Sequence, residues 1–224
     1  MRHEHKIHDR HRHDGDRGDA LTHGARRYEF GAAVGFLGRR RRVYDGLVAL
    51  SGARPGDRVL DVGCGTGYLT RRVARAVAPD GYVVGVDPSS SVIGYAADHA
   101  PDNGAFEIAR AQALPYADAS FDVVVSSLAM HHVPSEDRAA ALREMRRVLR
   151  PGGRLLIVDY REQPRHLVVA NLIGALSRHA AQHSPADDLT ELVADAGFRI
   201  TAVGDRWPSL RYVQGERPGA SGTN

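Results

Sequence analysis

Apolar residues occur along the chain in short runs of strand length, and these runs alternate with stretches of helical spacing. The run 58–62 is β-prone, and Leu69, Val73 and Val77 then recur at the spacing of one helix face. The same alternation predicts further strands at 82–87, 106–109, 121–127 and 154–159, and helices at 68–77, 88–99 and 135–149. Strands that alternate with helices predict an α/β domain with buried parallel strands.

Both flanks of this pattern carry additional predicted elements. A helix is expected within 28–52, and its Arg39–Arg42 run is read as a solvated face rather than a phosphate or RNA contact. The stretch 160–184 has the apolar spacing of an amphipathic helix, whose polar face is not strongly basic, as a membrane-surface helix would require. A further helix is expected up to Ala196, and the runs 198–203 and 210–214 predict a final hairpin with one antiparallel strand. The turn Pro151–Gly153 is expected to end the helix before the fifth strand.

The connection between the first strand and its helix is rich in glycine. Gly63, Gly65 and Gly67 let the backbone turn tightly and approach a ligand closely. Their spacing, G-x-G-x-G, is one residue shorter than the dinucleotide fingerprint. Asp87 ends the second strand about 20 residues further on, where an acid can hold a ribose diol. A general nucleotide-binding fold explains these features, but it does not explain Asp61, the acid before the glycines.

These motifs resemble those of the class I S-adenosylmethionine-dependent methyltransferases, in which an acid, x-G-x-G-x-G and a second acid follow in this order. The resemblance continues through Leu114–Asp122 and Arg147–Leu155, and it covers roughly 28–214. It implies a Rossmann-like three-layer α/β sandwich whose seven-stranded sheet is mostly parallel with one antiparallel strand. It also implies a helical lid, with Tyr28, Phe30 and Phe36 as lid residues. Within the family, the chain looks like the small-molecule methyltransferases related to the quinone-biosynthesis C-methyltransferases.

The resemblance implies S-adenosyl-L-methionine as the cofactor and places its contacts on Asp61, Gly63, Cys64, Gly65, Gly67, Asp87, Pro88, Ala111, Gln112 and Ser127. One position departs from the family, because Arg110 stands where an acid usually accepts a hydrogen bond from the adenine amino group. A guanidinium has donors only. Gln112 or a backbone carbonyl is therefore expected to accept this bond, with Arg110 in solvent or stacked on the adenine.

Two adjacent histidines follow the fourth strand, at the edge where ligands bind in open α/β sheets. Methyl transfer from a sulfonium depends mainly on alignment, and a base is needed only if the acceptor must lose a proton. His132, with His131 in reserve, is the candidate base because its pKa needs no special tuning. The alternative is a packing role for the pair. Asp159 and Tyr160 are further pocket candidates.

Composition bounds the remaining possibilities. The chain has 224 residues, a formal net charge of +3 and one cysteine, Cys64. The modest charge does not argue for nucleic acid, the single cysteine indicates a reducing compartment, and no apolar run reaches membrane-spanning length. We therefore expect a cytoplasmic protein with a small-molecule acceptor as partner, without nucleic acid or membrane.

Three regions follow from the same composition. Residues 1–27 are polar and rich in histidine, which indicates a disordered leader rather than a metal-binding tract, because no spacing repeats a zinc pattern. No metal site is expected. Residues 28–215 form the methyltransferase domain, and 216–224 are a polar tail.

The sequence favours an enzyme that methylates a small organic acceptor at oxygen, nitrogen or carbon. An RNA or protein methyltransferase is the first alternative, but the N-P-P-Y block of many such enzymes is absent, and Ser126–Ala129 stands in its place. No separate nucleic-acid module is visible. A non-catalytic cofactor-binding protein of the same fold is the second alternative.

Overall fold

The structure is a computed structural model that describes residues 38–161 and 189–219. The strands are β1 (Arg58–Val62), β2 (Tyr82–Asp87), β3 (Gly104–Ile108), β4 (Phe121–Ser127), β5 (Leu149–Tyr160), β6 (Arg199–Arg206) and β7 (Leu210–Glu216). The helices are α1 (Arg40–Ser51), α2 (Tyr68–Val77), α3 (Ser90–Ala97), α4 (Ser135–Val148) and α5 (Leu189–Asp195), with a 3₁₀ turn at Met130–His132.

The seven strands form one sheet in the order β3-β2-β1-β4-β5-β7-β6. Strands β1 to β5 pair in parallel, and β7 runs antiparallel to both of its neighbours. This confirms the predicted seven-stranded, mostly parallel sheet with one antiparallel strand. The order reverses between β1 and β4, and the carboxyl ends of strands at such a switch point form a ligand crevice.

The central strands are buried on both faces because helices cover each side of the sheet. Neighbouring residues of β1 point to opposite faces, so Val59 packs with Leu47 of α1 and Val73 of α2. Leu60 packs on the other face, where α4 contributes Met145. These two cores fix the strand ends that carry the polar residues.

The start of β5 differs from the prediction. The helix does end before the turn, at Val148, but the strand assignment begins at Leu149 instead of Arg154. Gly152, at φ 75°, donates its N–H to the carbonyl of Arg217 over 2.8 Å, and Arg217 returns a hydrogen bond to the carbonyl of Gly153 over 2.9 Å. Leu149 pairs with Phe121 of β4, and the bonds to Arg217 then extend the strand through the expected turn.

Arg147 on α4 fastens the segment that follows β3. Its guanidinium donates to both carboxylate oxygens of Glu144 over 2.7 and 2.8 Å, and to Asp118 over 2.8 Å. It also donates to the carbonyls of Tyr116 and Leu114 over 2.7 and 2.9 Å. Hydrogen bonds from Arg147 lower the pKa of Glu144, which also accepts the N–H of Leu114 over 2.9 Å. The network ties this segment to a helix that is anchored in the core.

Several predictions lie outside the described residues. These are the leader 1–27 with its metal-binding alternative, the lid residues Tyr28, Phe30 and Phe36, the helix expected within 160–184, and the end of the polar tail. Among the helices that the structure describes, none is both long and apolar enough to span a bilayer.

Candidate active site

A cavity of about 610 Å³ opens at the carboxyl ends of β1, β2 and β4. Its walls come from the glycine loop, the segment after β3, the first turn of α1, and the chain between β4 and α4. The volume lies within the range of about 300–1,000 Å³ that is usual for small-molecule sites. The cavity therefore occupies the crevice that the strand order predicts for a ligand.

Most residues expected to touch the cofactor line this cavity. They are Asp61, Gly63, Cys64, Gly65, Asp87, Pro88, Ala111, Gln112 and Ser127. Gly67 is absent from the described lining. The sequence therefore brings together polar groups from four separate segments of the chain.

All three glycines of the loop have a left-handed φ, 74° at Gly63, 53° at Gly65 and 77° at Gly67, but their surroundings differ. A Cβ on Gly63 would lie 2.3 Å from the Cβ of Ala129, and a Cβ on Gly67 would lie 2.4 Å from Cζ of Phe106. A side chain at Gly63 would therefore collide with Ala129, and one at Gly67 would have to displace the ring of Phe106. A Cβ on Gly65 would meet nothing within 4 Å, and its φ of 53° is left-handed. Gly65 keeps both the loop conformation and the open space beside the cavity.

Asp87 at the end of β2 is held by two backbone amides. Gly65 donates to Oδ2 over 3.1 Å, and Ser89 donates to Oδ1 over 2.9 Å. An ionised carboxylate has about four lone-pair positions. Two remain for a ligand, which is the number that a vicinal diol can use.

Asp61 is a buried acid on the cavity floor. It is 1% exposed, and the hydroxyl of Thr70 donates to its Oδ2 over 2.6 Å. Burial raises the pKa of Asp61 to about 7, and the charge of Asp87 adds to the rise, whereas the bond from Thr70 opposes it. A cation bound beside Asp61 would restore the ionised form, so this carboxyl is suited to an ammonium group. Burial, followed by the charges of Asp61 and Asp87, raises the pKa of the Cys64 thiol, which therefore stays protonated.

Arg40 is a cavity residue that the sequence interpretation missed. It is 8% exposed, and its guanidinium lies 3.8 Å from the ring centroid of Tyr68. Tyr44, one turn further along α1, meets Tyr68 edge to face at 4.9 Å. Arg40 shares the buried face of α1 with Tyr44, Leu47 and Ser51. That i, i+4, i+7, i+11 spacing was present in the sequence and separates Arg40 from its solvated arginine neighbours.

Two serines end β4 at the cavity floor. The hydroxyls of Ser126 and Ser127 are buried and have no hydrogen-bond partner among the residues that the structure describes. Both line the cavity. Because buried hydroxyls are normally paired, these two indicate that a polar ligand group completes the site.

The histidine pair follows β4 in the 3₁₀ turn, and the two rings face different surroundings. His132 lines the cavity, whereas His131 is absent from the described lining. His131 instead holds Asp159, with Nδ1 2.6 Å from Oδ1 and its backbone N–H donating to Oδ2 over 2.9 Å. The two imidazole centroids are 3.9 Å apart. The ring of Tyr160 lies 5.4 Å from that of His131.

His132 is exposed at the cavity edge, but enough protein surrounds the ring to affect its protonation. Desolvation, followed by the charge of His131, lowers the pKa of His132. The imidazole is therefore neutral at pH 7 and able to accept a proton.

Comparisons with known proteins identify the family. The family model described as a methyltransferase domain matches residues 59–153. A ubiquinone/menaquinone biosynthesis C-methyltransferase of Vibrio campbellii is 44% identical over 115 residues, which are 49% of this chain and 44% of that protein. The protein of the same name from Ectopseudomonas mendocina is 35% identical over 182 residues, 69% of this chain and 70% of that protein. The crystal structure of magnesium protoporphyrin IX methyltransferase from Synechocystis with bound S-adenosylhomocysteine has a TM-score of 0.59, 26% identity, and coverage of 79% and 82%.

The chain therefore belongs to the class I S-adenosylmethionine-dependent methyltransferases. Within that family it is similar to the quinone-biosynthesis C-methyltransferases, although its match spans less than half of the Vibrio enzyme's length, 44%.

S-adenosylmethionine is the cofactor, and the cavity fits its charges. The cavity lining contains the carboxyl groups of Asp61 and Asp87 and the guanidinium of Arg40, and the cofactor carries an ammonium, a vicinal diol and a carboxylate. Among the described residues, no cluster of three or more histidine, cysteine, aspartate or glutamate side chains is arranged to hold a metal ion.

Proposed function

We propose that the protein methylates a small organic acceptor, and that this acceptor is a phenol or hydroquinone ring of the kind that quinone biosynthesis uses. The observation that carries the proposal is His132, a neutral imidazole at the edge of the cofactor cavity. The names of the related enzymes support the same acceptor class. A phenolic acceptor must lose a proton before its oxygen or ring carbon becomes a strong nucleophile, so it is the class that needs a base there.

Asp87, Asp61 and Arg40 hold the cofactor in this proposal. They bind the ribose diol, the ammonium and the carboxylate, respectively, and so fix the cofactor at three points along its length. Binding at several points orients the reacting group, and orientation is the main contribution that a protein makes to a substitution at carbon.

The bound cofactor supplies a methyl group that is already electrophilic because it sits on a sulfonium. The protein residues then act on the acceptor. His132 takes the proton from the acceptor hydroxyl, which raises electron density on that oxygen and on the ring carbons beside and opposite it. Asp159 holds His131 by two hydrogen bonds, and His131 packs against His132 with ring centroids 3.9 Å apart. His132 therefore packs against an imidazole whose orientation Asp159 fixes.

The proposal also includes a location. A single cysteine in the chain suits a reducing compartment, and on that basis we place the enzyme in the cytoplasm.

An acceptor panel tests the proposed function. The full-length protein is incubated with S-adenosylmethionine carrying a deuterated methyl group and with hydroquinones, catechols, simple phenols and primary amines. Mass spectrometry detects the labelled methyl, and NMR locates it on carbon or oxygen. Labelled phenolic products that fall strongly in His132→Ala support the proposal. Labelling of the amines alone would contradict it, and cofactor binding without any labelled product would favour the non-catalytic alternative.

A further inference from the structure

The wall of the cavity after β3 lacks the acid that usually recognises adenine in this family. Arg110, Ala111 and Gln112 line the cavity here. The segment makes a tight turn, in which the N–H of Ala113 donates to the carbonyl of Arg110 over 3.0 Å. The exocyclic amino group of adenine donates hydrogen bonds, so this wall must provide an acceptor.

Of the three side chains on this wall, only that of Gln112 contains a hydrogen-bond acceptor. The guanidinium of Arg110 has donors and no acceptor. The backbone carbonyl of Arg110 already accepts the N–H of Ala113. The side-chain amide of Gln112 contains both a donor and an acceptor.

Asp137 decides which end of the Gln112 amide is available. Nε2 of Gln112 donates to Oδ2 of Asp137 over 2.9 Å. An ionised carboxylate can only accept, so the amide nitrogen must face Asp137, and Oε1 is left as an acceptor. A reversed amide would place two acceptor oxygens against each other, which is unfavourable.

The position of Asp137 is itself fixed by the fold. It lies in the first turn of α4, and its N–H donates to the carbonyl of Pro134 over 2.9 Å. Pro134 also lines the cavity. The helix is anchored by Leu142 and Met145, which are fully buried in the core. The amide of Gln112 is therefore hydrogen-bonded to a residue of α4, a helix that is anchored in the core.

We propose that Oε1 of Gln112 accepts the hydrogen bond from the adenine amino group, and that Asp137 is the positioning residue that fixes the amide in this orientation. The proposal rests on S-adenosylmethionine as the cofactor. It makes the site selective for a purine with an amino group at position 6 over a purine with a carbonyl oxygen there. In the second case Oε1 faces another acceptor, and Asp137 prevents the amide from turning over.

Calorimetric titration of two ligands tests this selectivity without any turnover. S-adenosylhomocysteine carries the amino group, and S-inosylhomocysteine has a carbonyl oxygen in its place. The wild-type protein should bind the adenosyl compound about 10- to 100-fold more tightly, because a polar site rejects a ligand that leaves its groups unpaired. Equal affinities for the two ligands would overturn the proposal without any variant.

Two variants separate the acceptor from its positioning residue. Gln112→Met removes both polar atoms at similar length, and it should reduce the ratio of the two affinities to below about 3-fold. Asp137→Asn lets the Gln112 amide turn over, because an asparagine amide can donate as well as accept. Asp137→Asn should reduce the ratio mainly by increasing the affinity for S-inosylhomocysteine. Under the proposal, Arg110→Ala leaves the ratio unchanged.

Gln214→Met is the matched control. Gln214 lies on β7 and donates to the carbonyl of Leu50 over 2.6 Å, outside the cavity lining, so its loss should leave the ratio unchanged. A ratio that survives Gln112→Met, or that falls in Arg110→Ala, would overturn the role of Gln112. A ratio that survives Asp137→Asn while falling in Gln112→Met would overturn the role of Asp137. If the wild-type protein binds neither ligand, the cofactor assignment fails instead.

Discussion

Asp159 at the end of β5 holds both the backbone and the ring of His131. Oδ2 accepts the backbone N–H over 2.9 Å, and Oδ1 lies 2.6 Å from Nδ1. The acid is 7% exposed, so little water competes for these bonds. The orientation of the ring next to His132 is therefore set by a strand of the central sheet.

We predict that Asp159→Asn lowers turnover roughly 10-fold or more while cofactor affinity stays unchanged. An asparagine amide can accept only one of the two hydrogen bonds from His131, so the ring loses its fixed orientation. In the wild-type protein, ¹⁵N NMR should find a proton on Nδ1 of His131, because a carboxylate can only accept. The variant should lose this signature. A variant with unchanged turnover would show that His131 does not support the base.

We predict that His132→Ala lowers turnover about 10²–10⁴-fold, because the acceptor then keeps its proton. S-adenosylhomocysteine should bind the variant as tightly as it binds the wild-type protein. His99→Ala, which removes an exposed histidine that follows α3, is the matched control and should retain full turnover. If His132→Ala lowers turnover less than threefold, His131 and His132 are packing residues and not part of the catalytic machinery.

The pH profile gives a separate check on the same histidine. The neutral ring is the base, so turnover at saturating S-adenosylmethionine, where Asp61 is already ionised by its ligand, falls when pH falls through the pKa of His132. Desolvation lowers that pKa. The midpoint of the acid limb should therefore lie below about 6.5, the ordinary value for histidine. A midpoint above that value would contradict a desolvated base.

We predict that Asp61→Asn stabilises the protein without cofactor at pH 8 and weakens cofactor binding. The folded-state pKa of about 7 lies above the unfolded value of 3.8, so the folded state loses stability as pH rises through this interval. Urea unfolding at pH 8 should give the variant a free energy of unfolding roughly 1–3 kcal/mol higher than that of the wild-type protein. This figure already includes the cost of one amide N–H that the asparagine leaves unpaired. The gain should vanish near pH 4. Affinity for S-adenosylhomocysteine should fall because the ammonium loses its counter-charge. A variant less stable than the wild-type protein at pH 8 would contradict the raised pKa.

We predict that Arg147→Lys destabilises the protein by roughly 1–3 kcal/mol, because one ammonium cannot replace the fork of donors that reaches Glu144, Asp118 and two carbonyls. Thermal unfolding measures the effect. Arg143→Lys on the exposed face of α4 is the matched control and should change stability by less than about 0.5 kcal/mol. Equal effects of the two substitutions would show that the network adds nothing to stability.

The positions of most elements could be predicted because each has a strong local period. β4 spans Phe121–Ser127 in the structure, as the apolar run predicts, and its two buried faces explain why that run is continuous. The start of β5 could not be predicted. Gly152 and Gly153 carry a local turn signal, but their hydrogen bonds go to Arg217, which local sequence cannot indicate.

The candidate site likewise contains residues that the sequence could indicate and residues that it could not. The glycine loop and Asp87 could be found from spacing because one strand–helix–strand unit, from β1 to β2, brings them together. The contact of His131 with Asp159 joins residues 28 positions apart and depends on the pairing of β4 with β5. Arg40 was hidden in a run of four arginines, where charge suggested solvent and only helical phase marked it as buried. The bond from Gln112 to Asp137 required knowledge of where α4 begins.

The most direct test of the account is the calorimetric affinity of S-adenosylhomocysteine for the wild-type protein and for Asp87→Ala. The account predicts that the wild-type protein binds and that the variant loses about 1–3 kcal/mol, because the ribose diol is left without its acceptors. Asp80→Ala, which removes an exposed acid from the turn before β2, should bind like the wild-type protein. Equal affinities of the wild-type protein and Asp87→Ala, with matching melting curves, would contradict the assignment of this cavity.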